Sequence, residues 1–200
     1  MAKQRATDTK ALVAAAAQAF NDKGYHNATI DDIALAAGIS RPTVYQYTKN
    51  KQHLLDLMVQ EVTGDLGRRL DEVLESPERP ADRLRQLIDA HIQATIANRS
   101  FYAIMFNEEV ELSDKSREAF RQWAHNRTQQ CARLLEECLQ EAGRTDLDAR
   151  ISANLLESML ATLYRWYDPA GPVDPNELST QIWLFISGLT QAPQALPIQS

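Results

Sequence analysis

Between Thr29 and Lys51 the chain sets many hydrogen-bonding and cationic side chains on very little apolar mass. Arg41, Thr43, Gln46 and Tyr47 fall within one short stretch, RPTVYQY, in which Val44 is the inward-facing residue. Their chemistry is recognition rather than bond-breaking. An arginine fork matches the acceptor pair of guanine, a carboxamide matches adenine, hydroxyls serve either, and the Pro42 ring suits a thymine methyl. Thr29, Tyr45, Lys49 and Lys51 flank them with groups suited to phosphate oxygens, which fix register without reading sequence. The partner these residues imply is a double-stranded DNA operator.

Nothing in the chain recommends catalysis. His26, His53, His91 and His125 are scattered without metal spacing, and neither C-x-x-C nor H-E-x-x-H occurs. A phosphate-cradling glycine loop and a G-x-S-x-G elbow are also missing. We therefore expect no catalytic residue, no metal site and no cofactor. Cys131 and Cys138 lie seven residues apart in a helical stretch. They share a face but are separated by about 10.5 Å along the axis, too far for a bridge within one chain. Two readings stay open for them: small core residues, or a thiol sensor or intersubunit bridge.

The elements that must position the recognition residues can be read locally. Thr29 with Asp32 three residues on is a near capping box, and Asp31 and Asp32 suit the positive end of a helix dipole. Ile30, Ile33, Ala34 and Ala37 recur at helical spacing. Gly38 marks a sharp turn, Ile39 plugs the corner, Ser40 caps a second helix over about Arg41 to Tyr47, and Pro42 sits in its first turn. Asn50 looks like the cap of a further helix from Lys51 through Leu54, Leu55 and Met58. Two short helices joined by a glycine turn make a helix-turn-helix.

The run T-x-x-x-I-A-x-x-A-G-I-S-x-x-x-V-Y-x-Y-x-x-x-K-x-x-L, Thr29 to Leu54, resembles the DNA-binding domain of the TetR family of transcriptional regulators. A helix from about Thr7 to Lys23, carrying Leu12, Val13, Ala16, Ala17 and Phe20 and closed by Gly24-Tyr25, is similar to the first helix of that domain. The family often has phenylalanine where this chain has Thr48, a departure that bears on the packing of the recognition helix. The segment YRWYDPAGPVDPNEL resembles the corresponding region of TetR-like regulators that sense lipid or acyl-CoA catabolites.

Composition fits this organisation. The 200 residues carry a net charge of −6, but residues 1–53 hold seven Lys/Arg against four Asp/Glu, and residues 54–200 hold fourteen against 23. A basic head precedes an acidic body that DNA would repel. With only 7 glycines and 8 prolines, the chain is expected to be all-α. We expect a three-helix DNA-binding domain over 1–53 and a helical effector-binding and dimerisation domain over 54–200. The opening MAKQRATD lacks an apolar signal core and no long apolar run suggests a membrane span, so a soluble, cytoplasmic protein is expected.

Six helices are expected in the body: Lys51 to Leu74, Ala81 to Asn98, Phe101 to Val110, Asp114 to Glu141, Asp148 to Tyr167 and Asn176 to Leu189, followed by a loose tail. The last two are apolar on most sides, through Leu155, Met159 and Thr162 against Leu156, Leu160 and Leu163, and through Ile182, Trp183, Leu184, Phe185, Ile186 and Leu189. A helix apolar on most faces must be buried on most faces. A second copy would do this, with Leu155, Met159, Thr162, Ile182, Trp183 and Ile186 as interface residues; a fully internal core is the alternative. The family resemblance implies the same homodimer, and a ligand pocket inside the body. Met105, Phe106, Trp123, Arg127 and Tyr164 are the candidates to line it, with ordinary core packing as the other reading. The function expected is that of a homodimeric repressor, with activation left open, released from a palindromic operator by a small, largely apolar effector.

Overall fold

The computed structural model describes residues Asp8–Gly188. Thr7, Leu189 and the tail 191–200 lie outside the described residues. Among those described, the regular elements are all helical, and no helix is long and apolar enough to cross a membrane. The chain forms two compact units. The first holds the chain up to Asp65 together with Ala97–Trp123, and the second holds Leu66–Ile96 and the chain from Ala124 on.

The first unit begins with α1 (Thr9–Lys23), whose N-terminus is capped by the Asp8 carboxylate accepting from the Ala11 N–H. Its inward face is mostly alanine, with Leu12, Val13 and Phe20, so neighbouring backbones approach closely. Gly24 ends α1 at φ +79°, a conformation that favours glycine. Then follow α2 (Ile30–Ala37) and α3 (Arg41–Tyr47). They are joined through Gly38 at φ +66°, whose N–H returns to the carbonyls of α2. The start of α4 (Lys51–Leu74) supplies Leu54, Leu55 and Met58, all fully buried, and Phe20 meets Tyr25 edge to face at 5.0 Å.

The compact unit runs to Asp65. It takes in α6 (Arg99–Asn107), a 3-10 turn (Glu109–Glu111) and the first part of α7 (Asp114–Glu141). Specific bonds hold them there. Gln52 Nε2 donates to the Glu111 carbonyl at 3.1 Å, and the Ser113 N–H donates to Asp56 Oδ1 at 3.1 Å. The second of these gives the buried Asp56 carboxylate a partner. Between α6 and α7 runs an aromatic ladder in which Phe106 lies 6.3 Å from Phe120, and Phe120 stacks on Trp123 at 6.1 Å.

In the second unit the end of α4, nearly all of α5 (Pro80–Ala97) and the later part of α7 pack with α8 (Ala149–Ala161), α9 (Leu163–Trp166) and α10 (Pro175–Ser187). Leu70, Leu84, Leu87, Ile88, Ile92, Leu134, Leu156 and Leu160 form its core. Asp148 and Asp174 cap α8 and α10, each accepting two backbone N–H groups. The single helix expected over 148–167 is two. It breaks at Thr162, where the backbone N–H turns to the Met159 carbonyl three residues back, at 3.3 Å, in place of the helical bond to the fourth.

Candidate nucleic-acid interface

α3 is fixed by three local devices. The Ser40 hydroxyl accepts from the Thr43 N–H, Pro42 occupies the first turn where its missing N–H costs little, and Val44 anchors the helix with no exposure at all. Because Val44 is the buried residue of α3, the rest is presented outward: Arg41, Pro42, Tyr45 and Gln46 are exposed, and Thr43 and Tyr47 are half-buried. The Thr43 hydroxyl shares a 2.8 Å hydrogen bond with Ser40. Arg41 Nη1 donates to Asp31 Oδ2 at 2.9 Å, with its guanidinium carbon 5.9 Å from the centre of the Tyr45 ring. Tyr45 and then Asp31 hold the Arg41 pKa above its ordinary value.

Thr48, where the family often has phenylalanine, is buried and polar. It closes the C-terminus of α3 by donating its N–H to the Val44 carbonyl. Its hydroxyl donates to the Asn50 carbonyl at 2.9 Å and lies 3.1 Å from His53 Nδ1. A hydrogen-bonded bracket between α3 and α4 stands where hydrophobic packing would otherwise do so.

The flanking groups divide by what they already hold. Lys49 is exposed on the turn after α3. Lys51, read as a phosphate contact, already has partners within the protein. Its ammonium donates to the carbonyls of Tyr25 at 2.6 Å and His26 at 3.0 Å, and sits 4.8 Å from the centre of the Tyr25 ring. Those carbonyls lie just beyond α1, so Lys51 is a clamp between α1 and α4. Thr29 is likewise committed: it completes the capping box with Asp32, and its hydroxyl donates to Asp32 Oδ2 at 2.7 Å. A shallow groove beside α3 is lined by His26, Thr29, Tyr45, Lys49, Asn50 and Lys51, among others. His26 and Asn50 on its wall, and Asp31 beside Arg41, were not picked out as site residues from sequence, because the groove forms only when the α1–α2 loop meets the start of α4.

Asp32 is pulled down to a pKa of about 2, chiefly by the Lys23 ammonium and then by the Thr29 hydroxyl and N–H. A carboxyl depressed below its unfolded value, about 3.9, contributes stability that is present above that value and lost as pH falls through the folded one. Asp32→Asn is therefore expected to melt below wild type between pH 5 and 7, with the gap closing between about pH 4 and pH 2. A gap that stays constant down to pH 2 would show that the Asp32 charge does not stabilise α2.

The residues proposed to line an effector pocket are split. Met105, Phe106 and Trp123 belong to the first unit, where Met105 is buried beside the aromatic ladder. Arg127 and Tyr164 belong to the second. There Arg127 pairs with Asp71 at 2.5 Å, and the Tyr164 hydroxyl accepts from Arg165 Nε at 2.9 Å. Both cysteines are free and buried. Burial, and then Glu157, pushes the Cys131 thiol far up, and burial pushes Cys138 up to about 12. Neither is a thiolate near neutral pH, which favours the core reading over a thiol sensor.

On α8 and α10 the apolar surface is sorted by rotation. Ile182 and Ile186, read as interface residues, are 7% and 5% exposed and belong to the protomer's own core. Met159 and Trp183 are half-buried, Trp183 with the Arg85 guanidinium over its ring, and Thr162 is exposed. Leu155 at 69%, Ile151 at 62%, Leu184 at 60% and Phe185 at 78% face outward. Leu155, Ile151 and Phe185 line one apolar groove with Leu147 and Met159.

Known proteins match this architecture. Residues 12–58 match the family model described as bacterial regulatory proteins, tetR family. Residues 77–189 match a tetracyclin repressor-like C-terminal domain. The HTH-type transcriptional repressor KstR2 of Mycolicibacterium smegmatis is 26% identical over 196 residues, covering 94% of each chain. The structure of the ketosteroid transcriptional regulator KstR2 of Mycobacterium tuberculosis superposes with a TM-score of 0.81 at 23% identity, covering 92% of this chain and 95% of that one. That of AibR in complex with isovaleryl coenzyme A and operator DNA gives 0.75 at 18% identity, covering 88% and 96%. With its N-terminal helices and more than half of its length matched by family models, the chain belongs to the TetR family of transcriptional regulators and is not an enzyme.

Proposed function

We propose that the protein is a homodimeric, cytoplasmic repressor that binds a palindromic operator and leaves it when a small, largely apolar effector binds. The observation that carries this reading is α3 itself, a helix with Val44 as its single buried side chain and donors on its outer face. Residues 1–53 act as the DNA-binding domain and 54–200 as the effector-binding and dimerisation domain. Arg41, Thr43, Gln46 and Tyr47 read base edges, Pro42 meets a thymine methyl, and Tyr45 and Lys49 hold phosphates.

A second copy covers the outward face of Ile151, Leu155, Leu184 and Phe185, apolar surface left exposed by the described residues. Isologous pairing then offers two copies of α3 to half-sites about 34–36 Å apart, or a multiple of that. Support for repression comes from the KstR2 relative, and AibR, which shares this fold, is known in complex with isovaleryl coenzyme A and operator DNA. Small molecules with a branched or short acyl group of that kind are the first effectors to try. Whatever the effector, it shifts operator affinity only as far as it prefers the released arrangement over the bound one.

Selection of duplexes from a random pool by the full-length protein tests the reading. A palindromic sequence should be enriched, and Gln46→Ala should relax preference at one base pair per half-site, at a cost of about 1–3 kcal/mol. A pool returned without enrichment would overturn the assignment.

A further inference from the structure

We propose that Asp31 sets operator specificity: its carboxylate aims the Arg41 guanidinium at a guanine edge and penalises duplexes that lack that guanine. The inference rests on the reading that α3 lies in the major groove.

Asp31 stands beside the recognition helix but has no part in capping its own. The capping box of α2 is made by Thr29 and Asp32, and Asp32 takes the Lys23 ammonium. The Asp31 carboxylate instead meets Arg41 across the Gly38 turn, ten residues on, at 2.9 Å. Both side chains are more than half exposed, Asp31 at 62% and Arg41 at 55%. A surface pair of this kind adds little to stability, so its consequence lies in what it does to the arginine.

An unrestrained arginine carries much rotamer entropy, and fixing it on a base costs affinity. Here the guanidinium is held twice, by Asp31 through Nη1 and by the Tyr45 ring at 5.9 Å one turn along α3. Nη1 bears two hydrogens. With one on Asp31, Nη1 keeps a second, and Nη2 and Nε add three more, so donors for guanine O6 and N7 remain beside the contacts to Asp31 and Tyr45. The same carboxylate has a second effect. Next to a polyanion an acid is repelled, and pairing cancels one cation that would otherwise join the sequence-independent attraction. Cognate duplex recovers this loss through the guanine contact and other duplexes do not, so discrimination rises by weakening the wrong complexes.

The test uses the full-length protein, the duplex it selects from a random pool, and that duplex with each base pair changed in turn. In Asp31→Asn, discrimination at one base pair per half-site should fall about tenfold while other positions hold. Binding to unselected duplex should tighten and its salt slope steepen by about one. Asp31→Glu should retain most of the discrimination, and Asp31→Asn placed on Arg41→Ala should remove none further. Unchanged discrimination in Asp31→Asn, an even loss at every position, or the same loss in the Arg41→Ala background would overturn the proposal. If Gln46→Ala is weakened while Asp31→Asn behaves as wild type, α3 still reads DNA and the Asp31 inference alone fails. If Arg41→Ala and Gln46→Ala both bind and discriminate as wild type, the placement of α3 fails and takes the inference with it.

Discussion

Phe185→Glu is expected to sediment as a monomer and to lose operator affinity by about 100-fold or more, the order expected when two linked contacts become one. The side chain is 78% exposed in the protomer, so glutamate there disturbs no internal packing. In an isologous interface each substitution occurs twice, and a carboxylate forced into an apolar seam without a partner costs several kcal/mol. Helical circular dichroism should be kept. Ile186→Glu provides the contrast: with 5% exposure the residue belongs to the protomer core, and the same charge there should unfold the second unit. A Phe185→Glu protein that remains dimeric with unaltered operator affinity would place the subunit contact elsewhere.

Lys51→Met is expected to lower stability by about 2 kcal/mol while leaving the salt dependence of DNA binding unchanged. Methionine keeps the apolar stem and deletes the ammonium. What is lost is a pair of charge-assisted hydrogen bonds to the Tyr25 and His26 carbonyls and a cation–ring contact, discounted for partial exposure. In a chain of this size the melting temperature should fall by about 4–8 °C. Lys49→Ala should do the reverse, lowering the salt slope by about one at an unchanged melting temperature. Thermal melts and salt titrations of the two variants decide between clamp and phosphate contact. A Lys51→Met protein with a wild-type melt and a reduced slope would return Lys51 to the DNA backbone.

How far each feature could be read in advance depended on how local its cause was. The ends of α4 at Lys51 and Leu74 and of α7 at Asp114 and Glu141 coincide with what sequence suggested, since SPERP and Gly143 break the pattern on the spot. The Thr29–Asp32 capping box and the left-handed Gly38 needed only neighbouring residues. The break at Thr162 has no local mark: Thr63, Thr128 and Thr180 turn their hydroxyls back on preceding carbonyls in the same way inside unbroken helices. Arg41, Pro42, Tyr45 and Gln46 were visible as outward-facing because a seven-residue helix anchored by Val44 has few ways to orient itself.

The sequence by itself determined the helical class, the helix-turn-helix and the family, because caps, turn glycines and apolar spacing act within a few residues. Tertiary structure decided which of those residues are still available. Lys51 donates to carbonyls 25 and 26 residues away, Asp31 holds Arg41, and residues 97–123 join the first unit. It also settled the rotation of α10, burying Ile182 and Ile186 and leaving Leu184 and Phe185 outside. Apolar side chains stand on more than one side of α10, so the choice of which turn inward falls to the neighbours the helix packs against.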